Sequence, residues 1–243
     1  MNKIILTGHS YGLGAALAVE LVSRGAHVMA ISRTASAQTE ASSVGSLQQV
    51  PLDLSDLTAV VDWLDSGALR DFLAGAEQAI LINNAGRVEP IGPPGRQNPA
   101  NIAQAVSLNV AAPLMLTDAF VAATQGLGDR RVLHISSGAA RNAYAGWSIY
   151  CATKAALDQH AAGVVADNVA GLLIESLAPG VIDTAMQAQI RATTADRFPA
   201  LERFEAMKKD GALASAQTSA AAIVSHLFST RFGQETATDI RQI

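Results

Sequence analysis

A tyrosine and a lysine four residues apart, Tyr150 and Lys154, combine residue types and spacing that suit proton chemistry. Residues i and i+4 share one face of a helix, so the phenol and the ammonium can point into one pocket. A nearby positive charge favours the phenolate, so we expect Lys154 to lower the pKa of Tyr150 toward neutrality. Such a phenol can give or take a proton at working pH. Taken alone, the pair is more simply interpreted as a half-buried tyrosine beside a solvated lysine.

A serine hydroxyl is predicted to lie near this pair. Ser137 follows the apolar run from Val132 to Ile135, which predicts a strand that ends just before it. Open α/β sheets collect their active groups at the carboxyl ends of their strands. Ser137 is therefore a candidate to hold a substrate oxygen beside the phenol.

The N-terminal part of the chain has the pattern of a strand, a glycine turn and a helix. The apolar run from Ile4 leads into a turn with Gly8, Gly12 and Gly14, and apolar residues at helical spacing follow. Such glycines let the backbone approach a pyrophosphate whose charge faces the helix N-terminus. Because the glycines lie between a predicted strand and a predicted helix, the pattern favours a dinucleotide site over a plain turn.

Two charged residues follow the next predicted strands. Arg33 stands about 20 residues past the glycines, where an acid is expected for NAD, and a guanidinium matches the 2′-phosphate of NADP(H). The alternative is an exposed arginine at the end of a strand. Asp53 follows the predicted strand from Leu47 to Leu52. It is a candidate either to accept from an adenine amino group or to cap the helix that starts after Ser55.

Strand and helix patterns alternate along the whole chain. They predict an α/β fold with a single Rossmann-type, doubly wound parallel sheet flanked by helices, in one domain over residues 1–243. Asn109 interrupts the apolar pattern of a helix predicted over 102–123, and Pro113 soon follows, so a local bend that frees backbone groups is expected there. Residues 185–214, after the strand predicted over 172–178, are expected to form a lid.

Composition excludes several classes of function. A net charge of -4 and a pI near 5.7 give no basic surface for nucleic acid or an anionic membrane. One cysteine and no Cys/His cluster at zinc spacing predict a metal-free protein without an internal disulfide. The N-terminal apolar run is too short for a signal peptide, and no membrane span is expected, so we predict a cytoplasmic protein.

Together these motifs resemble the short-chain dehydrogenase/reductase family from end to end. The resemblance rests on Thr7 and the glycine turn, Asn83-Asn-Ala-Gly86, Ser137, Tyr150-Cys-Ala-Thr-Lys154 and Pro179-Gly180, in the family's order and spacing. Family members that match at Asn109, Ser137, Tyr150 and Lys154 use these residues as a catalytic tetrad. The resemblance implies cofactor contacts at Gly8, Ser10, Gly12, Leu13, Gly14 and Arg33, at Asp53 by the adenine, at Asn83 by the ribose, at Tyr150 and Lys154, and at Val181 and Thr184 by the nicotinamide carboxamide.

Within that family the segments 135–147 and 179–190 are similar to bacterial benzil reductases of the sepiapterin reductase type. The resemblance implies an NADPH-dependent reductase that turns a ketone or diketone into a chiral alcohol or hydroxyketone, with Tyr150 as proton donor. Trp147 and Met186 are candidates to pack a flat apolar substrate, although a plain core tryptophan is the alternative. Tyr11 stands where many members carry a basic residue, so a 2′-phosphate would rest mainly on Arg33.

The resemblance also implies a homo-oligomer. The chain ends in Asp239-Ile-Arg-Gln-Ile243 rather than the Gly-Gly tail that many members use in tetramer contacts, so a homodimer is as well supported as a homotetramer. Two other functions remain open: a reductase of 3-oxoacyl thioesters or a secondary-alcohol dehydrogenase, and a non-catalytic NADPH-binding sensor. A thioester reductase would need a basic docking surface, for which the lid offers Arg191, Arg197, Arg203, Lys208 and Lys209.

Overall fold

The computed structural model describes residues 1–36 and 44–243, so part of the connection predicted over 34–45 lies outside the described residues. Seven parallel strands form one sheet in the order β3-β2-β1-β4-β5-β6-β7, which confirms the predicted fold class. The strands are β1 Asn2–Thr7, β2 His27–Ser32, β3 Ser46–Pro51, β4 Gln78–Asn83, β5 Arg130–Ile135, β6 Leu172–Ala178 and β7 Ala237–Asp239. The order reverses between β1 and β4, which is where open sheets of this kind bind ligands.

Helices cover both faces of the sheet, and this explains why the central strands are continuous apolar runs rather than alternating ones. One core lies between the sheet and the helices α1 and α9, and a second lies between the sheet and the helices α2, α3, α5 and α6. The helices are α1 Gly12–Ser23, α2 Leu57–Asp65, α3 Ala68–Leu73, α4 Pro99–Val106, α5 Ala112–Ala123, α6 Ser148–Ala166, α7 Ala185–Arg191, α8 Leu201–Lys209 and α9 Ala216–Leu227.

The stretch predicted as one long helix is divided by a turn of π-helix. Asn98 caps α4 by accepting from the backbone N–H groups of Ala100 and Asn101. A π-helical turn over Ser107–Ala111 then separates α4 from α5 and carries Asn109. The bend expected around Asn109 is therefore confirmed, and its form is one extra residue in the helical turn.

By length and composition alone, the stretch Pro99–Ala123 would pass as a membrane-crossing helix. Its inward face instead packs into the core of the sheet through buried Ala112, Leu116 and Phe120. The apolar composition is thus accounted for in part by contact with the strands.

The predicted lid contains two helices, α7 and α8, and it packs on the start of α6. Trp147, just before α6, stacks on Phe198 of the lid with ring centroids 4.5 Å apart. Phe204 of α8 meets the same indole edge-on at 5.3 Å. We call these three residues, together with Tyr144, the aromatic wall.

Candidate active site

The carboxyl ends of the strands open into one cavity of about 490 Å³. Most of the residues predicted to bind cofactor or substrate line it, although they come from distant parts of the chain. Those that do are Gly8, Ser10, Gly12, Leu13, Gly14, Arg33, Asp53, Ser137, Tyr150, Lys154, Val181 and Thr184. Asn83 and Asn109 lie behind this lining rather than in it.

The glycine turn is built by a close approach of backbone to backbone. A Cβ on Gly14 would lie 1.9 Å from the carbonyl oxygen of Gly8, and one on Gly8 would lie 2.8 Å from Cα of Ala85. Gly8 and Gly12 also have φ angles of 73° and 59°, which favour glycine. Tyr11, at the N-cap of α1, makes no side-chain hydrogen bond to the first turn. The N–H groups of that turn are thus left without a side-chain cap at the cavity, which suits an anion.

The two asparagines after β4 have different surroundings. Asn83 is buried, and its Nδ2 donates to Thr117 Oγ1 at 3.3 Å and lies 3.2 Å from His134 Nδ1. Asn84 lines the cavity, and its Nδ2 donates to the carbonyl oxygens of Thr7 and Gly8 at 2.8 and 3.1 Å. The predicted contact of Asn83 with the ribose stays a prediction, and Asn84 is the side chain that holds the glycine turn.

Arg33 and Asp53 lie at the far end of the cavity from Tyr150. Arg33 is exposed at the end of β2. Burial raises the pKa of Asp53, but hydrogen bonds from Ser55 and the charge of Arg33 outweigh it and leave the pKa lowered. The carboxylate of Asp56, not that of Asp53, caps α2 by accepting from Thr58 and Ala59. The capping alternative for Asp53 is therefore wrong.

Tyr150 and Lys154 are both buried on the face of α6 that meets the end of β5. Lys154 Nζ donates to the carbonyl oxygen of Ile135 at 2.7 Å and lies 5.9 Å from the centre of the Tyr150 ring. Ser137 Oγ accepts from the backbone N–H of Ala139 at 3.1 Å. The structure therefore brings the hydroxyl, the phenol and the ammonium to one end of the cavity.

Burial determines the protonation states of Tyr150 and Lys154. Burial raises the pKa of Tyr150, and the hydrogen bond with Ser137 offsets this only in part. Burial also lowers the pKa of Lys154 to about 8, against the opposing negative charge of Asp158. The expectation that Lys154 lowers the Tyr150 pKa toward neutrality is thus wrong for this structure, because burial of the phenol raises that pKa. At neutral pH the phenol keeps its proton and is a proton donor.

Asn109 lies behind the lining of the cavity and forms hydrogen bonds with residues there. Its Oδ1 accepts from the backbone N–H of Arg87 at 2.9 Å, and its Nδ2 donates to the Arg87 carbonyl at 2.8 Å and to Thr153 Oγ1 at 3.1 Å. A Cβ on Gly86 would lie 3.3 Å from Asn109 Oδ1 and 3.5 Å from Lys154 Nζ. Asn109 and Lys154 therefore approach the same glycine.

The aromatic wall closes the cavity beside Tyr150. Trp147 is buried within the wall, as the core interpretation expects, and it also lines the cavity, where contact with a substrate stays a prediction. Tyr144 and Phe204 line the cavity too, as does Met186. Tyr144, Phe198 and Phe204 were not predicted from the sequence as site residues. The available signal for the last two was a pair of phenylalanines within the lid, where no other aromatic residue occurs.

Comparison with known proteins adds an independent line of evidence. The family model described as short chain dehydrogenase matches residues 2–195. A benzil reductase ((S)-benzoin forming) from Bacillus cereus is 36% identical over 244 residues, covering 96% of this chain and 97% of the relative. A sepiapterin reductase from Meriones unguiculatus is 32% identical, covering 89% of this chain and 87% of the relative.

A solved structure extends the similarity to three dimensions. The crystal structure of a short-chain dehydrogenase/reductase from Burkholderia vietnamiensis is 44% identical, with a TM-score of 0.70. The alignment covers 100% of this chain and 99% of that one. Sequence and fold are therefore similar to those of the same group of proteins over the whole length.

Proposed function

Since this chain belongs to the short-chain dehydrogenase/reductase family, we propose that it uses NADPH to reduce a ketone or a benzil-like diketone to a chiral alcohol or hydroxyketone. The observation that carries the proposal is a buried, protonated phenol in the same cavity as the glycine turn, with a serine hydroxyl and an ammonium beside it. Benzil reductases at 36% identity support the substrate class.

The residues of the cavity fit a dinucleotide phosphate. The uncapped first turn of α1 and the tight glycine turn would hold the pyrophosphate, and Arg33 would hold the 2′-phosphate. Asp53 would lie at the adenine, with Val181 and Thr184 at the nicotinamide end. Bound NADPH supplies the hydride for the carbonyl carbon.

The protein residues supply the proton and the orientation. Tyr150, which keeps its proton at neutral pH, donates it to the carbonyl oxygen. Ser137 donates a hydrogen bond to the same oxygen and stabilises the charge that develops there. Lys154 holds the ribose and supplies positive charge near the phenol. Asn109, through backbone freed at the π-helical turn, holds a water that links Lys154 to solvent.

Replacing Tyr150 with Phe tests this assignment. Without the phenol, kcat should fall about a thousandfold, the range for loss of a general acid. NADPH binding, measured by quenching of protein fluorescence, should change little. Tyr144→Phe is the matched control because Tyr144 lines the same cavity without contacting the proton path, and it should keep most of its activity. Equal loss of binding and turnover in Tyr150→Phe would show that Tyr150 is structural.

Two of the five basic residues of the lid are held by other groups of the protein, which supports a small substrate over an acyl thioester on a carrier. Lys208 is ion-paired with Asp183 at 2.5 Å, and Arg197 donates to the carbonyl oxygens of Ile91 and Arg96. A third, Arg203, lines the cavity itself. An NADPH oxidation assay with benzil, isatin and an acetoacetyl thioester separates the alternatives: we expect turnover of the diketones and little of the thioester.

We also propose that the chain works in the cytoplasm as a homodimer or homotetramer. The outward faces of α4, α5 and α6 carry the exposed apolar residues Val106 and Val165 and would suit close helix packing. Light scattering on the purified protein should give a mass of two or four chains. A monomer at micromolar concentration would contradict the proposal.

A further inference from the structure

A carboxylate outside the predicted tetrad lies one helical turn beyond Lys154. Asp158 is on the same face of α6, and its side chain is 15% exposed. Its Oδ1 accepts from the hydroxyls of Ser136 and Ser176, both at 2.7 Å, and its Oδ2 accepts from Arg141 Nε at 3.0 Å. Four elements of the site therefore meet at one carboxylate: α6, the end of β5, β6 and the turn after Ser137.

These contacts form a clamp on the segment that carries Ser137. Lys154 bonds the carbonyl of Ile135, and Asp158 bonds the hydroxyl of Ser136. Two successive turns of α6 thus hold the two residues that immediately precede Ser137. Tyr150 stands on the same helix one turn before Lys154. The clamp therefore sets the distance between the hydroxyl and the phenol, which lie on separate elements and must meet the same substrate oxygen.

The same carboxylate is a negative charge that acts on Lys154 from one turn along its own helix. Among the described residues, Tyr150 on α6, neutral Asn109 on the π-helical turn and His134 on β5 also lie beside Lys154. Burial, with the charges of His160 and Lys154, lowers the pKa of His134 to about 3, so it is neutral at working pH. Asp158 is shared with one further cation, Arg141, whose side chain is 36% exposed.

We propose that Asp158 is a positioning residue of this site, which keeps Lys154 in its charged form and holds Ser137 in register with Tyr150. The inference rests on the proposed function for its effect on turnover. Its effect on Lys154 can be measured without turnover. The amide of Asp158→Asn keeps the shape and one acceptor oxygen but removes the charge.

The direct test is the titration of the Lys154 side chain. The chain has four lysines, Lys3, Lys154, Lys208 and Lys209, so Cε-labelled lysine gives four signals in NMR. The Lys154 signal is the one lost in Lys154→Arg. In Asp158→Asn its titration midpoint should fall by about one pH unit from the wild-type value. An unchanged midpoint would overturn the proposal.

Turnover gives the second readout. The ammonium is lost as pH rises through the Lys154 pKa of about 8, so activity should decline above that pH. In Asp158→Asn this decline should begin at lower pH, and at about pH 6, where Lys154 stays charged, kcat should fall no more than it does in Ser136→Ala. If only the kinetic profile fails to move while the NMR midpoint does, the proposed function is at fault rather than the role of Asp158.

Three controls separate charge from packing. Asp158→Glu keeps the charge and should titrate like wild type. Ser136→Ala removes a bond of the clamp but leaves the charge, so kcat should fall severalfold with the Lys154 midpoint within about half a pH unit of wild type. Arg141→Gln removes a competing cation and should raise the midpoint. Because Arg141 is partly exposed, Arg141→Gln can replace Asp158→Asn as the test variant if Asp158→Asn does not fold. In that case, an unchanged Lys154 midpoint in Arg141→Gln would overturn the proposal.

Discussion

The two ends of the cavity differ in which atoms form them: mainly backbone atoms at one end and side chains at the other. The glycine turn is formed mainly by backbone, with Gly14 tight against the Gly8 carbonyl and Gly8 tight against Cα of Ala85. The aromatic wall is formed by side chains that lie about fifty residues apart in the sequence, with Trp147 stacked on Phe198. The glycines that allow the turn form a local sequence pattern, whereas no local pattern reports how the side chains of the wall pack. Substitutions at three positions test this difference.

The largest effect is expected in the glycine turn. Gly14→Ala places a Cβ 1.9 Å from the Gly8 carbonyl and 2.6 Å from Asn84 Nδ2, which no rotamer can relieve. The turn must open, and we expect NADPH to bind about a hundredfold more weakly. Isothermal titration measures this directly.

The matched control is Gly163→Ala in α6, where nothing lies within 4 Å of the added Cβ. Alanine in a helix should stabilise the protein by up to about 1 kcal/mol and leave binding unchanged. If Gly14→Ala bound NADPH as well as Gly163→Ala does, the turn would not be a backbone-made site.

A smaller effect is expected at the aromatic wall. Gly146 has a φ of 85°, and its added Cβ would lie 2.1 Å from the Arg197 carbonyl, so Gly146→Ala pushes Phe198 away from Trp147. The KM for the diketone should rise about tenfold, the equivalent of 1.4 kcal/mol, with NADPH binding unchanged. Gly126→Ala has the same φ and no neighbour within 4 Å, so it isolates the cost of backbone strain. Equal effects of the two variants on KM would show that the aromatic wall does not contribute to substrate binding.

The smallest effect is expected at the exposed end of the cofactor site. Arg33→Asp replaces an exposed guanidinium with a charge that repels a phosphate. Preference for NADPH over NADH should fall by a factor of about five or more, because exposed charge contacts contribute about 1 kcal/mol. The ratio of kcat/KM for the two cofactors is the measurement. An unchanged ratio would mean that backbone alone selects the cofactor.

The same contrast explains which features the sequence could predict. The parallel sheet, the glycine turn and the side chains Ser137, Tyr150 and Lys154 follow from local patterns and from one family's motif order. The sequence could not predict that Asn83 is buried while Asn84 lines the cavity, because adjacent residues of a motif differ only in which side of the chain they face. That direction depends on Thr117 and His134, which are far away in sequence.

Electrostatic details were the least predictable. The Tyr150 pKa depends on burial, which no spacing of residues reports, and burial reversed the expected direction. The aromatic wall was missed for a similar reason: Phe204 belongs to a lid helix whose docking against Trp147 is visible only in three dimensions.

The π-helical turn at Asn109 makes this part of the gene sensitive to length. The turn holds one residue more than an α-helix needs, and both sides are anchored, by the Asn98 cap and by Phe120 in the core. Deleting one residue here would restore a regular α-helix with its two halves still in register, but it would remove the wide turn that carries Asn109. The hydrogen bonds between Asn109 and the backbone of Arg87 would then be lost. The length of this segment therefore decides whether the backbone behind Lys154 is held in place.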